Sequence, residues 1–444
     1  MNLAELPSPL RKTAYALALA ALFAPTAEAA PGDLLGPAIT VAGTAAYTPA
    51  VARNAAGEFI VVWANDFFDS APGAIAARLF AADGTPAGPA FAVTGGRGRT
   101  PSVAMNAEGA FVVSWIDDIE RSVEARVYDA GAVPRSGELT IATGIEGQYT
   151  AEGINPESAV AIDDDGDFVV GWSVAAPHPG TRIGDVPYLF SGIPLYAPGI
   201  DRVYARRFNA DGTASGSPRL LDERASLRFD SGNKSLSVAM SASGAYAVVW
   251  SFADALGRSH VYGRRFKADG GNDGLKFRVD DAQVSVGDDS EASAAMDPAG
   301  GLLVTWKERL GVLNSDLRYR IKVKAYAANG SVRLPEFDPF AGVQAVPAYD
   351  LGARPRIAVD PLGAFVISTD EGTIDSQSGY TVSSVVVRLF QASGAPLSGK
   401  QTLAVGTQYG AANGVAMDAA GSPVVSYIRA LNPRGVFAQR LLGP

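Results

Sequence analysis

Glu157, Glu291 and Arg354 hold one position in this chain: each stands nine residues before a glycine (Gly166, Gly300 or Gly363) that ends the same short pattern. Two carboxylates at a suitable separation can do general acid/base work or open a glycosidic bond, so the three could line a polar central pocket. The plainer reading, charges solvated at a rim, is preferred, because spacing along the chain fixes no separation in space. The chain has two histidines, His178 and His260, and as a pair they could hold a metal or act as an acid/base couple. No motif supports that, and they are read as incidental surface residues. Between Ser173 and Asp201 lie His178, Arg182, Tyr188, Phe190 and Tyr196, among prolines and glycines. Rings beside polar groups could stack on a sugar or an extended peptide; the alternative is a loop folded over its own scaffold. Asp163-Asp164-Asp165-Gly166-Asp167 looks superficially like a calcium loop but lacks the regular carboxylate spacing and the distal glutamate of one. It is read as an acidic turn, and no cofactor is expected.

All of these residues hang on a repeat. Seven glycines serve as its origin: Gly57, Gly109, Gly166, Gly244, Gly300, Gly363 and Gly421. Five places before each stands alanine, from Ala52 to Ala416, and three places before stands a turn-former: Asn54, Asn106, Asp163, Ser241, Asp297, Asp360 or Asp418. Six places after stand Trp63, Trp115, Trp172, Trp250 and Trp306, then Thr369 and Tyr427, so all 5 tryptophans of the chain share one slot.

Each unit reads as four short strands. Strand a holds the Val51-Ala52 type of segment, and strand b is an apolar run such as Phe59 to Trp63. Strand c is typified by Ala77-Arg78-Leu79-Phe80, with its cation repeated at Arg126, Arg206, Arg264, Lys324 and Arg388. That cation recurs with the fold and is expected to bind a carboxylate or carbonyl between units. Strand d follows a turn such as Asp83-Gly84 and is typified by Phe91-Ala92-Val93. Strand b is apolar on both sides, whereas a sheet covered on one face would alternate with polar residues. Units of about 50 residues with four strands each match propeller blades in size. The expected fold is an all-β, seven-bladed β-propeller with four antiparallel strands per blade.

The ends of the repeat predict how the ring closes. The seventh unit stops at Pro444 after strand c, and Gly36-Pro37-Ala38-Ile39-Thr40-Val41 copies Gly88-Pro89-Ala90-Phe91-Ala92-Val93, a strand d. The N-terminal strand should therefore complete the last blade and leave no open edge. The organisation expected is a signal peptide over 1–29 and one propeller over 30–444, with the closing strand at 32–44. The blades fall at about 47–96, 99–144, 154–223, 233–282, 289–342, 352–407 and 409–444.

Composition narrows the partners. Arg11 and Lys12, the apolar stretch Ala14 to Ala24 and the small residues of Ala27-Glu28-Ala29 read as a cleavable leader. The product is then exported, periplasmic or extracellular, with no membrane insertion once the leader is gone. A net charge of −9 argues against nucleic acid and anionic membranes. With no cysteine, there is neither disulfide nor thiolate chemistry. The pattern resembles the VAxxxxGxFVVVW repeats of bacterial exported and surface proteins, and its closure is similar to that of WD-repeat propellers, without their Trp-Asp dipeptide. That resemblance implies a fold and no catalytic residues.

Connection lengths point to one face. From Trp63 to Arg78 is 15 residues, and from Trp172 to Arg206 is 34, whereas the a–b turn is the same in every unit. Variable loops on a fixed scaffold are where function usually lies. The expectation is a binding or scaffold propeller that recognises a glycan or protein on the face of the b–c and d–a connections. The alternative is a glycoside hydrolase or lyase with carboxylates at the channel mouth.

Overall fold

Successive residues of strand b turn to opposite sides, and both sides are apolar, so every sheet needs cover on two faces. The chain provides it with seven four-stranded antiparallel sheets arranged in a ring, and no α-helix occurs among the described residues. The computed structural model describes residues 29–43, 46–65, 75–96, 98–117, 119–145, 157–177, 199–226, 235–253, 258–281, 289–309, 319–340, 355–374, 381–407, 413–429 and 434–444. In blade 1 the strands are a (Ala46–Arg53), b (Phe59–Asn65), c (Ile75–Phe80) and d (Phe91–Ala92), hydrogen-bonded in that order.

Strand a is innermost, and each strand a touches the strand a of the next blade around the whole circle. Small residues allow that approach. Ser102 Oγ accepts the Val160 N–H of the next blade at 3.3 Å, and Ser237 Oγ accepts the Ala294 N–H at 3.0 Å. A Cβ on Gly414 of blade 7 would come within 3.2 Å of the Val51 nitrogen of blade 1. Further out, the face carrying Ala52, Ile60 and Val62 packs against Phe111, Val113 and Trp115 of blade 2. The five tryptophans fill these blade interfaces and are at most 3% exposed.

Three recurring devices set the blade geometry. In all seven a–b turns the side chain three places before the glycine accepts the N–H one place after it, from Glu58 N–H to Asn54 Oδ1 through Ser422 N–H to Asp418 Oδ1. The glycine in these turns has φ between 76° and 95°, a left-handed conformation that a side chain would strain. The second device is a ring stack between strand b and strand c, as in Phe59–Phe80 at 4.9 Å and Phe111–Tyr128 at 4.7 Å. Over the strand c ring lies the recurring cation: Arg78 over Phe80, Arg126 over Tyr128, Arg206 over Phe208, Arg264 over Phe266, Lys324 over Tyr326 and Arg388 over Phe390. As the third device, this cation crosses to the preceding blade: Arg126 donates to the Val93 carbonyl, Lys324 to that of Val279 and Arg388 to that of Pro339.

The acidic turn of blade 3 is a member of the first set and carries a pH signature. Burial, then the charge of Asp167, pushes the Asp163 carboxyl up to about 6. The folded state thus holds this proton more tightly than the unfolded chain does, and stability falls as pH rises from 3.8 to about 6. Asn54 and Asn106 serve the same slot without charge. Asp163→Asn should raise stability at pH 7.5 by about 1 kcal/mol, and the gain should shrink below pH 6 and vanish only near pH 3.8, where the carboxyl of the unfolded chain also protonates. Thermal melts of both proteins across this pH range check this.

Blade 7 consists of Asn413–Met417, Pro423–Arg429, Gly435–Arg440 and, as its outer strand, Ile39–Ala42 from the N-terminus. Ile39 pairs with Ala438 and Thr40 with Phe437. Gln439 stands where other blades have the cation, and its side-chain amide donates to the Gly36 carbonyl as Arg78 does to that of Gly88. The copied segment therefore makes the copied bond.

Candidate functional site

Among the described residues, the one nine places before the glycine immediately precedes the inner strand in blades 3 and 4 (Glu157 and Ser235) and falls within its first three residues in blades 1, 2 and 5 (Thr48, Thr100 and Glu291). In blades 3 and 4 it bridges to the next blade. Glu157 Oε2 accepts the Leu236 N–H at 3.2 Å, and Ser235 Oγ accepts the Ala292 N–H at 2.6 Å. These N–H groups belong to strand edges that no fifth strand covers, so the side chains satisfy donors that the sheet leaves over. The residue in that place after Thr48 is Pro101, which has no N–H to give. Thr48 Oγ1 and Thr100 Oγ1 are buried and have no hydrogen-bond partner.

In blades 1, 2 and 5 the inner strand carries a register shift here, and Thr48, Thr100 and Glu291 adopt φ of 45°, 47° and 55°. Left-handed non-glycine residues store strain and re-aim their side chains. Glu291 is 5% exposed, so the solvated rim charge expected from sequence is in fact buried. Glu157 and Glu291 occupy one slot in blades 3 and 5, with blade 4 between them. Arg354 of the same slot lies outside the described residues.

His260 also departs from expectation. It sits on strand c of blade 4 (Ser259–Phe266), is 5% exposed, and has Nδ1 at 3.2 Å from Asp280 Oδ2 and 2.9 Å from Arg278 Nη2. Burial alone would raise the Asp280 carboxyl, but hydrogen bonds from His260 and Arg278 outweigh it and hold the carboxyl below the usual range. Asp280 Oδ1 also accepts the Val261 N–H at 2.8 Å. The cluster thus ties the outer strand of blade 4 to strand c, and its Nδ1 is committed there. His178 lies outside the described residues.

In blade 3, strand b runs over Phe168–Pro177 and strand c over Gly199–Phe208, with Pro177 paired to Gly199. Both ends of the Ser173 to Asp201 insertion are therefore ladder rather than loop. Its apex, with Arg182, Tyr188, Phe190 and Tyr196, falls outside the described residues. Among the described residues no three His, Asp or Glu side chains converge as a metal set.

No known protein family and no curated protein matches the chain. In overall shape it is similar to several solved structures. One is a protein of unknown function from Dyadobacter fermentans, with 12% identity and a TM-score of 0.45 over 94% of this chain and 99% of that one. Another is the polysaccharide lyase Uly1, with 9% identity and a TM-score of 0.48 over 92% and 99%. A third is a Penicillium chrysogenum α-L-arabinanase complexed with arabinobiose, with 10% identity and a TM-score of 0.43 over 92% and 98%. At this level of likeness no residue role carries over.

Four polar residues outside the sequence-derived set lie buried on strand b of blades 5, 6 and 7. Thr369 and Tyr427 replace tryptophan in the recurring slot and are 2% and 0% exposed. Lys307 and Asp370, one place after that slot in blades 5 and 6, are 1% and 5% exposed. The Lys307 ammonium lies 4.6 Å from the centre of the Tyr319 ring. The signal was present in sequence: blades 6 and 7 break the tryptophan rule, and the residues one place after the slot in blades 5 and 6 are charged.

Proposed function

We propose that the protein is an exported binding or scaffold propeller that recognises a glycan or protein on the face carrying the b–c and d–a connections. The observation that carries this reading is the division of labour between constant and variable parts. The repeated turn-formers, rings and strand c cations are engaged in holding strands and blades to one another. The connections that vary in length, b–c and d–a, join the other ends of the strands. Export is supported by the leader-like 1–29 and by Ala30, whose nitrogen is 2.7 Å from Asp33 Oδ2. A cut after Ala29 would place a new α-ammonium on that carboxylate.

The test is to replace residues 178–198 by a short Gly-Ser link from Pro177 to Gly199, which leaves the paired strands intact. The variant should fold with the melting temperature of the parent and lose affinity for the glycan or protein selected by the full-length protein on oligosaccharide and protein arrays. Retained affinity would move the site away from His178, Arg182, Tyr188, Phe190 and Tyr196.

A second reading, a glycoside hydrolase or lyase, is favoured by one observation: Glu157 and Glu291 share one slot of the repeat at the start of the inner strand, and Glu291 is buried in a left-handed backbone. Glu157→Gln and Glu291→Gln should then abolish oligosaccharide cleavage while binding persists. A wild-type protein that binds its sugar without cleaving it ends this reading.

A further inference from the structure

We infer that the junction between the outer strands of blades 3 and 4 binds an anionic glycan, a chain whose sugars carry carboxylates or sulfates, with Arg219, Arg224, Arg264 and Lys276 as its contact residues. The site lies on the flank of the ring, so the inference goes beyond the binding face proposed above and does not depend on it.

Strand d of blade 3 (Arg219–Ser226) forms one wall, and strands c and d of blade 4 (Ser259–Phe266 and Phe277–Arg278) form the other. Strand pairing decides which side chains turn towards the junction. Asp222 pairs with Val203, which packs among the core residues of blade 4. Arg224, two places on, turns the same way and lies over the Tyr262 ring of blade 4 at 4.7 Å. Arg219 crosses as well: it lies over the Phe266 ring at 5.0 Å, and its Nη1 donates to the Gly270 carbonyl. From the opposite wall the Lys276 ammonium is 5.2 Å from the centre of the Tyr262 ring, and the Arg264 guanidinium is 5.6 Å from that of Phe266. The four cations therefore form a row of about 15 Å along the strands. The row is open to solvent, with the Arg224 side chain 29% and the Lys276 side chain 35% exposed.

One carboxylate, Asp222, stands among the four cations. Lys276 Nζ meets it at 2.8 Å and Arg224 Nε at 3.9 Å, and it also accepts the Trp250 Nε1–H at 3.2 Å. Arg219 and Arg264 have no carboxylate between them; both donate to one neutral oxygen, Asn272 Oδ1, and both lie over the Phe266 ring. Burial, then the charge of Arg219, draws the Arg264 guanidinium below its ordinary pKa. The next junction is matched instead, with Lys324 on Asp281 and Lys322 between Glu308 and Glu336. On a chain of net charge −9 the row is a local reversal of sign, and an anionic chain laid along it meets each cation in turn. The same residues say what kind of chain. Leu221, Trp250 and Phe266 beneath the row are buried in the core, so they give a protein partner no apolar anchor. The Tyr262 ring is taken up by Trp250, Arg224 and Lys276, which leaves a nucleic-acid base nothing to stack on. Spaced cationic N–H donors suit sugars that carry acidic groups at intervals.

Titration calorimetry of the full-length protein with hexagalacturonate and with a heparin hexasaccharide tests the assignment. At least one should bind with millimolar affinity or better at about 20 mM salt, and weaken about fivefold or more at about 200 mM. Arg224→Gln/Lys276→Gln should weaken that binding at least about tenfold. Arg320→Gln/Lys400→Gln removes the same charge from exposed places on blades 5 and 6 and should leave it unchanged. Asp222→Asn keeps an acceptor for Trp250, removes the one anion of the row and should tighten binding. Neither glycan bound at low salt, full affinity in Arg224→Gln/Lys276→Gln, or an equal loss in the control pair would each overturn the site. If Arg224→Gln/Lys276→Gln does not fold, Asp222→Asn decides: unchanged or weaker binding overturns the site. Tighter binding of hexaglutamate or of a DNA hexamer than of either glycan would overturn the choice of a glycan. The 178–198 replacement should bind these glycans as the parent does; a loss there would move them to the variable face, overturning this site and keeping the broader reading.

Discussion

Deleting residues 30–44 from a chain that begins at Ala30 should cost on the order of 5 kcal/mol and leave a protein that aggregates on mild heating. The segment forms the fourth strand of blade 7 and a backbone clasp beyond it. Gly32 N–H donates to the Leu442 carbonyl and Leu442 N–H to that of Asp33, both at 2.8 Å, while Leu35 N–H donates to the Arg440 carbonyl at 2.9 Å. The deletion also uncovers Val436 and Ala438, which are fully buried, and removes Val41, which is 5% exposed. Strand c of blade 7 would then present an open edge. Chemical denaturation of the 45–444 and 30–444 chains measures the difference; equal midpoints would refute the clasp.

Replacing any one of the tryptophans by alanine should cost about 3–5 kcal/mol, because each removal opens a cavity between two rigid sheets. Emission of the native protein should be blue-shifted and poorly quenched by iodide, since no tryptophan is more than 3% exposed. Substitution by phenylalanine should separate the five. Trp250 Nε1 donates to Asp222 Oδ2 at 3.2 Å, a carboxylate that Lys276 Nζ also meets at 2.8 Å. Trp115 Nε1 is buried without a partner. Trp115→Phe should therefore be milder than Trp250→Phe, which takes a donor from a buried carboxylate. Denaturation midpoints of the two variants decide the order.

The fold was legible because its rules repeat. Seven copies of an alanine, a turn-former and a glycine fix the a–b turn, and one tryptophan slot fixes the blade interface. The closing strand followed from matching Gly36–Val41 to Gly88–Val93, and the Gln439 to Gly36 bond repeats the Arg78 to Gly88 bond. The site was less legible, for a physical reason. Burial of Glu291 depends on a left-handed residue in a bulged strand, and His260 is held by Asp280, 20 residues away and just past the outer strand. Neither leaves a local pattern.

The clasp of blade 7 has a consequence for the order of events in folding. Gln439 meets Gly36 across 403 residues of chain, so this contact waits until the whole polypeptide is present. Loop-closure entropy grows only as the logarithm of length, so the delay is kinetic rather than a large loss of stability. Until then the chain is an open arc. One end bares Phe59, Val61 and Trp63, the face that blade 7 later covers through Ala416, Val424 and Ala438. Two such arcs from separate molecules expose complementary ends, and at high concentration joining end to end competes with closing on themselves.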